Sequence, residues 1–310
     1  MNILVTGGAG FIGSHIVDVF IGKGAKVIII DNLSTGRKEN INKKAKFYKM
    51  DICSPSVEQV FMREKIDIVN HHAAQINVTE AVKNPVFDAR INIVGSLNIL
   101  ENCVKYKVKK IIFASSGGAI YGEGNDTLPF NEFNQPLPIS PYGISKFTVE
   151  QYLKYYQELY NLNYTILRYS NVYGERQNPE GEAGVISIFT LRMLKGINPI
   201  IYGDGKQLRD YVYVGDVVRA NLLAINKGTN QILNIGTGIP TSVNVLYKKL
   251  KKIIKFSGRP RYESCRKGEI LKNYLNISKA RKILKWTPEI NLEQGLKSCL
   301  DYYKGEFLHG

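Results

Sequence analysis

The segment that most restricts the fold is Gly7–Gly13, which reads GGAGFIG and lies between two apolar stretches. Ile3–Thr6 before it is a strand-like run, and a helical apolar pattern after it leads to a second run ending at Asp31. This order is typical of a dinucleotide-binding unit, in which the glycines admit a pyrophosphate and the acid accepts hydrogen bonds from a ribose. The acid favours NAD over NADP because it would repel a 2′-phosphate; Arg37 is the one nearby residue that favours the opposite choice.

Strand-like and helix-like patterns continue to alternate after Asp31. The further strands are predicted at Ala45–Met50, Ile66–Asn70, Ile111–Ala114 and Tyr164–Leu167, and a helix is predicted at Asn92–Tyr106. Such alternation predicts an α/β fold, a Rossmann-type doubly wound parallel sheet that binds its ligands at the carboxyl ends of the strands.

The pattern changes after Leu167, where long polar loops alternate with short elements. We therefore predict an NAD-binding domain over residues 1–167 and a mainly substrate-binding region over 168–310, a smaller α/β cap. A later part of the chain, about 205–238, is expected to return to the first domain.

Tyr142 and Lys146 are four residues apart, so they lie on one face of a predicted helix that runs to about Tyr160. Pro141 suits the first turn of that helix, and Ser140 could cap it. A nearby ammonium lowers a phenol pKa, so this pair predicts that Tyr142 is a general base near neutral pH.

Composition and charge limit the other classes of function. The formal charge is +15, but the lysines are dispersed and form no nucleic-acid-binding pattern, so we expect no nucleic-acid partner and an attraction for anionic small molecules. No apolar run is long enough for a bilayer, no signal segment is recognisable, and we expect a cytoplasmic protein. The four cysteines have no metal-binding spacing, and His71 and His72 are expected to be packed side chains rather than metal ligands.

The glycine segment, Ser115-Ser116 and the Tyr142/Lys146 pair together resemble the extended short-chain dehydrogenase/reductases, and within them the UDP-glucose 4-epimerases and related NAD-dependent nucleotide-sugar epimerases. The resemblance covers Met1 to about Leu296. It implies an isomerase that oxidises a UDP-sugar transiently at C4, with Tyr142 as base and Lys146 holding the nicotinamide ribose. It also implies a homodimer through the helices Asn92–Tyr106 and Tyr142–Tyr160.

The resemblance assigns further residues to ligands. Those implied for NAD are Gly7, Gly10, Phe11, Ile12, Gly13, Asp31, Asn32, Ser34, Thr35, Gly36, Asp51, Ile52, Ala73, Ala74, Gln75, Asn92, Tyr142, Lys146 and Tyr169. Those implied for the nucleotide sugar are Ser116, Tyr142, Asn171, Val185, Ile186, Tyr202, Arg209, Arg266, Glu269 and Asn273. A small residue at the position of Asn273 would admit an N-acetyl group, although a one-residue slip would place Tyr274 there.

The catalytic serine and the reaction leave alternatives. Counting along the strand selects Ser116, with Ser115 second, whereas counting back from Tyr121 reaches Gly117, which has no hydroxyl. Related dehydratases carry an Asp-Glu pair where this chain has Gly118 and Ala119, which favours epimerisation. The other hypotheses are a decarboxylase, 4-reductase or C5-linked epimerase on a UDP- or dTDP-sugar, and a non-catalytic NAD-sensing module.

Overall fold

The N-terminal strand, glycine turn and helix start the fold, and the next six parallel strands complete one large sheet. The computed structural model describes residues 1–124, 127–179, 184–265 and 270–308. The strands of the large sheet are β1 (Asn2–Thr6), β2 (Lys26–Asp31), β3 (Lys46–Lys49), β4 (Ile68–His71), β5 (Lys110–Ser116), β6 (Asn163–Tyr169) and β10 (Gln231–Ile235). Their spatial order is β10-β6-β5-β4-β1-β2-β3, and every neighbouring pair is parallel.

The remaining described strands form small sheets in the second half of the chain. They are β7 (Asn171–Tyr173), β8 (Ile200–Tyr202), β9 (Leu208–Tyr213), β11 (Pro240–Ser242), β12 (Arg261–Glu263) and β13 (Lys272–Asn273). Strand β9 pairs with β7, β11 and β13, while β8 pairs with β12.

Helices cover both faces of the large sheet. Those of the first half are α1 (Phe11–Gly22), α2 (Val57–Glu64), α3 (Val78–Lys83), α4 (Pro85–Ala89), α5 (Gly95–Lys105), α6 (Gly117–Ile120) and α7 (Pro141–Tyr160). Those of the second half are α8 (Val185–Leu194), α9 (Val214–Ala224), α10 (Val243–Ile254), α11 (Ser278–Leu284) and α12 (Leu292–Leu308). Short 3₁₀ and π segments occur at Lys38–Asn40 and Arg90–Val94, respectively.

The helix predicted at Asn92–Tyr106 begins earlier than expected. Asn84 caps α4 by accepting the Phe87 amide, and Pro85 occupies the first turn. The π segment Arg90–Val94 then joins α4 to α5 without a break. Propensity did not reveal this start because the apolar pattern becomes regular only further along the chain.

Three apolar cores hold these layers together. One lies between the sheet and α1, α9 and α11, and a second lies between the opposite face and α2, α5 and α7. The third joins α8, α10 and α12 in the second half of the chain. Buried strands with both faces covered explain why β1 and β2 read as continuous apolar runs.

Part of the second half returns to the large sheet. Helix α9 packs in the same core as α1, and β10 pairs with β6. Both elements lie within the interval 205–238, the part of the chain that was expected to return to the first domain. Strand β9 lies in that interval but pairs in the small sheet, and α11 returns later. The domain boundary at residue 167 remains a prediction. Among the described helices, none has an apolar stretch of the length needed to cross a bilayer.

Candidate active site

A groove runs along the carboxyl edge of the large sheet, where the strand order divides between β1 and β4. Its lining includes most of the residues predicted for NAD: Gly7, Gly10, Phe11, Ile12, Gly13, Asp31, Asn32, Ser34, Thr35, Asp51, Ile52, Ala73, Ala74, Tyr142, Lys146 and Tyr169. It also includes Met50, His72, Ile76, Ile91, Ala114 and Ser115. Met50 directly precedes Asp51, and Ala114 directly precedes Ser115, so their positions at the ends of predicted strands could have identified them as groove residues. No sequence pattern identifies Ile91 as a groove residue.

The glycine turn leaves room for a phosphate. Gly7 has φ +70°, and a Cβ on it would lie 2.7 Å from the Ala73 nitrogen. A Cβ on Gly13 would lie 2.2 Å from the Gly7 oxygen. The N-cap of α1, Gly10, has no side chain to bind the first amides, and the first turn carries no acid. These free amides and the helix dipole suit an anion, so the residues present fit a dinucleotide pyrophosphate.

Asp31 is fixed at the end of β2. Its carboxylate accepts the Ala9 amide at 3.0 Å and the Leu33 amide at 2.8 Å, and it still lines the groove. Gly36 is not in the lining; a Cβ there would lie 2.9 Å from Asp31 Oδ1, so its glycine makes space for the carboxylate. The Arg37 guanidinium donates to Asn178 Oδ1 at 3.2 Å.

Gln75 and Asn92 are not in the groove lining, and their assignment as NAD ligands remains a prediction. The Asn92 amide nitrogen donates to the Gln75 carbonyl and to Asp88 Oδ1, and its oxygen accepts the Gln75 amide at 2.8 Å. The Gln75 side chain donates to the Asn77 carbonyl and to Asp88. Both side chains are used to fix the backbone that carries Ala73 and Ala74.

Tyr142 and Lys146 lie on one face at the start of α7, as predicted. Ser140 caps the helix by accepting the Gly143 amide at 3.2 Å. Lys146 Nζ is buried, donates to the Ala114 carbonyl at 2.9 Å, and lies 5.8 Å from the centre of the Tyr142 ring.

In the chain by itself the pKa of Tyr142 is raised, whereas the Tyr142/Lys146 pair predicts a lowered one. Burial raises the pKa of Tyr142, the negative charge of Asp88 raises it further, and a hydrogen bond with Ser116 acts in the opposite direction. Burial also lowers the pKa of Lys146 to about 8, while the charges of Asp88 and Glu150 oppose that change. The sequence showed the cation but neither the burial nor the carboxylate.

The two serines at the end of β5 have different surroundings. Ser115 is buried and its hydroxyl donates to Glu150 Oε1 at 2.6 Å. That carboxylate also forms a bidentate ion pair with Arg168, at 2.9 and 2.6 Å. Ser116 bonds the Tyr142 hydroxyl instead. The two neighbouring serines therefore meet different side chains of α7, Glu150 of the ion pair and the tyrosine.

The residues predicted for the sugar surround Gly118. A Cβ at Gly118 would lie 3.9 Å from both Ser116 Oγ and Asn171 Oδ1. Asn273 is buried beside them; its amide nitrogen donates to the Gly117 carbonyl at 3.1 Å, and its oxygen has no hydrogen-bond partner among the described residues. The short helix α6 thus brings Ser116, Asn171 and Asn273 around one small space.

The other predicted sugar residues that the structure describes lie on β8, β9 and α8. Arg209 lies on β9 directly beside Asn273 of β13, and Tyr202 ends β8. Val185 begins α8, but the Ile186 side chain is buried in the third core, so only its backbone is available to a ligand. Arg266 and Glu269 lie outside the described residues.

The adjacent histidines are packed as expected. His71 bonds Thr6 and Ser96 through its two ring nitrogens, and His72 Nε2 bonds Tyr169 at 3.1 Å. Burial lowers the pKa of each imidazole to about 3, so both are neutral. Over the described ranges, no group of three His, Cys, Asp or Glu side chains is placed to hold a metal ion.

Comparison with known proteins places these features in a family. A model of the NAD dependent epimerase/dehydratase family matches residues 3–236. The structure of the UDP-glucose 4-epimerase of Thermotoga maritima with UDP-glucose is 52% identical, covers 99% of both chains and has a TM-score of 0.98. The UDP-glucose 4-epimerase of Thermus thermophilus in complex with NAD is 40% identical, covers 98% of this chain and 99% of that one, and has a TM-score of 0.94. The UDP-N-acetylglucosamine 4-epimerase of Methanobrevibacter ruminantium, in complex with UDP-N-acetylmuramic acid, is 36% identical over 99% of both chains, again with a TM-score of 0.94.

Proposed function

The chain belongs to the NAD dependent epimerase/dehydratase family, and on that premise we propose that it is a nucleotide-sugar 4-epimerase that interconverts UDP-glucose and UDP-galactose. The observation that carries the proposal is the placement of Tyr142 and Lys146, one helical turn apart on α7, in the lining of a groove formed against the glycine turn. A solved relative with this fold and 52% identity is a UDP-glucose 4-epimerase holding UDP-glucose.

The cofactor is NAD, and the groove offers its ligands. The free amides at the start of α1 would hold the pyrophosphate, Asp31 would accept from the adenosine ribose, and Lys146 would donate to the nicotinamide ribose. Bound NAD supplies reversible hydride acceptance at the sugar C4 and a positive charge at its nicotinamide ring.

The protein residues manage the proton of the sugar 4-hydroxyl. Tyr142 Oη accepts that proton when the alcohol becomes a ketone and returns it when the opposite face is reduced. Ser116 hydrogen-bonds both the tyrosine and the sugar oxygen, so it aligns the transfer. A phenolate is unfavourable in the buried chain alone, so a nearby positive charge is needed to stabilise it, and Lys146 supplies part of that charge.

Epimerisation is favoured over dehydration by the two residues after Gly117. Gly118 and Ala119 cannot donate a proton to the C6 oxygen or remove the C5 proton, which elimination of water requires. The open space at Gly118, beside Ser116 and Asn171, instead leaves room for a 4-keto sugar to present its other face.

Asn273 indicates which sugars the enzyme accepts. Its buried Oδ1 has no partner among the described residues, so it can accept the N–H of a 2-acetamido group, and asparagine is smaller than tyrosine. We therefore propose that the enzyme also interconverts UDP-N-acetylglucosamine and UDP-N-acetylgalactosamine. The 36% identical relative that holds UDP-N-acetylmuramic acid supports a 2-acetamido sugar in this fold.

The test is incubation of the purified protein with each of the four UDP-sugars, followed by NMR of the products. We expect conversion of each to its 4-epimer and an equilibrium reached from both directions. Tyr142→Phe is the control for contaminating activity. A 4-keto-6-deoxy product would identify a dehydratase, and an unchanged sugar in the presence of added NAD would contradict the proposal.

We also propose a homodimer formed by the surfaces of α4–α5 and α7. Apolar side chains are exposed there, including Val86 at 77%, Val94 at 54% and Leu159 at 53%. Tyr155 is exposed as well, whereas Tyr156 is buried in the sheet-facing core and does not contribute to this surface. Light scattering should give twice the mass of one chain for the wild-type protein. The double variant Val94→Asp with Leu159→Asp should give the mass of a single chain.

The four cysteines are free, and one of them, Cys265, is exposed. Unpaired exposed thiols persist in reducing compartments, so we propose that the protein works in the cytoplasm. A tagged protein found in a secreted fraction would contradict this.

A further inference from the structure

Asp88 is a fully buried carboxylate on α4 that is not used by the reaction described above. Its Oδ1 accepts the Gln75 amide at 3.1 Å and the Asn92 amide at 3.0 Å, and its Oδ2 accepts the Ser145 hydroxyl at 2.6 Å. Side-chain amide nitrogens can only donate, so Oδ1 acts as an acceptor in both bonds. The two carboxylate oxygens of Asp88 therefore accept three hydrogen bonds from three different side chains.

The position of Asp88 relates it to the catalytic pair. Ser145 directly precedes Lys146, and Tyr142 is one helical turn earlier on α7. The hydrogen bond from Ser145 therefore attaches the start of α7 to α4 at the point where both reacting side chains emerge. Asp88 thus lies close enough to influence both charges.

The other charged groups near Lys146 are compensated. Glu150, one turn further on α7, is in a bidentate ion pair with Arg168. His71 and His72, from the end of β4, are neutral because burial lowers their pKa values to about 3. The ion pairs found among the described residues do not include Asp88.

We propose that Asp88 is a positioning residue whose negative charge holds Lys146 in its ammonium form inside the buried site. A charged Lys146 is needed to bind the ribose and stabilise a Tyr142 phenolate, so Asp88 sets the upper pH limit of the enzyme. The same charge opposes the phenolate, so it also sets the lower limit. The direction of the pKa effects on Tyr142 and Lys146 agrees with both statements.

Asp88→Asn is a neutral and nearly isosteric test. The new carbonyl oxygen can still accept from Gln75 and Asn92, and the new amide can donate to the Ser145 hydroxyl, which is able to accept. The matched control is Ser145→Ala, which removes one hydrogen bond and leaves the carboxylate charge. The inference rests on the proposed function, so the first readout needs no turnover.

That readout is the titration of Lys146 in the NAD-free protein, followed by ¹³C NMR of its ε-carbon and assigned with Lys146→Met. We expect the midpoint to fall by roughly one pH unit in Asp88→Asn and to remain at the wild-type value in Ser145→Ala. Equal midpoints in wild type and Asp88→Asn would overturn the proposal. A shift in Ser145→Ala as large as in Asp88→Asn would show that the contact, not the charge, matters, and would also overturn it.

Two further measurements keep the proposal testable. In turnover assays, both limits of the kcat/KM profile should move to lower pH in Asp88→Asn, whereas a uniform loss at every pH would indicate a merely structural role. If Asp88→Asn does not fold, the ¹³C shift of the wild-type Asp88 carboxyl decides. It must remain that of an ionised group across the titration of Lys146, and a protonated Asp88 there would overturn the proposal.

Discussion

Glu150→Gln should destabilise the protein strongly, although the substitution changes only one atom and a charge. Glu150 is fully buried, and its partner Arg168 is 2% exposed. The carboxylate receives three hydrogen bonds: two from the Arg168 guanidinium, at 2.9 and 2.6 Å, and one from Ser115 at 2.6 Å. Glutamine would direct an amide donor at a guanidinium and would leave its charge unpaired.

Removing one partner of a buried ion pair costs about 3–5 kcal/mol. A domain of this kind has a total stability of about 5–15 kcal/mol, so we expect a large shift of the urea midpoint and a fall in Tm on the order of 10 °C. The control is Glu58→Gln, which breaks the exposed pair with Lys105, whose side chains are 43% and 62% exposed. Such surface pairs contribute about 0–1 kcal/mol.

The double variant Glu150→Gln with Arg168→Met tests the cause. It removes the orphaned charge, so it should recover part of the loss, since a buried pair replaced by neutral groups can be tolerated. The reasoning is refuted if Glu150→Gln lowers the free energy of unfolding no more than Glu58→Gln does. It is also refuted if the loss in the double variant equals the sum of the losses in the two single variants, Glu150→Gln and Arg168→Met.

Three further predictions concern the site. Tyr142→Phe should fold and bind NAD but lose activity by roughly 10²–10⁴-fold, as measured by coupled assay, and a few-fold loss would remove Tyr142 from the mechanism. Calorimetry should show NAD bound more tightly than NADP because Asp31 lines the groove; equal affinity would instead implicate Arg37. Asn273→Tyr should depress turnover of the N-acetylated UDP-sugars selectively, whereas an equal loss with UDP-glucose would contradict the role assigned to the buried Oδ1.

The large sheet could be predicted because its strands are buried on both faces. β1 and β2 read as uninterrupted apolar runs and have almost the bounds expected for them. The strands of the small sheets are only two to six residues long, and β13 has two. Pairings of that length are determined by contacts distant in sequence, so no local pattern marks them.

The choice between the serines depends on contacts made in the folded chain. Counting residues selected Ser116, with Ser115 second, and an extra glycine before Tyr121 kept the count open. Strand β5 in fact extends through Ser116, so both serines lie on the strand, and each meets a different side chain of α7. Ser115 meets Glu150 and Ser116 meets Tyr142, a distinction that requires the end of the strand to be known.

The raised pKa of Tyr142 has the same origin. A Tyr and a Lys four residues apart are visible in the sequence, but the free energy of a phenolate depends on burial and on every nearby charge. Burial is the largest cause, and the contributing carboxylate, Asp88, is 54 positions before Tyr142 and reaches α7 only through packing of α4 against it. Buried polar groups of this kind follow no period, because each is satisfied by a partner from another element. Such groups set the chemistry of the site, and the tertiary structure is needed to find them.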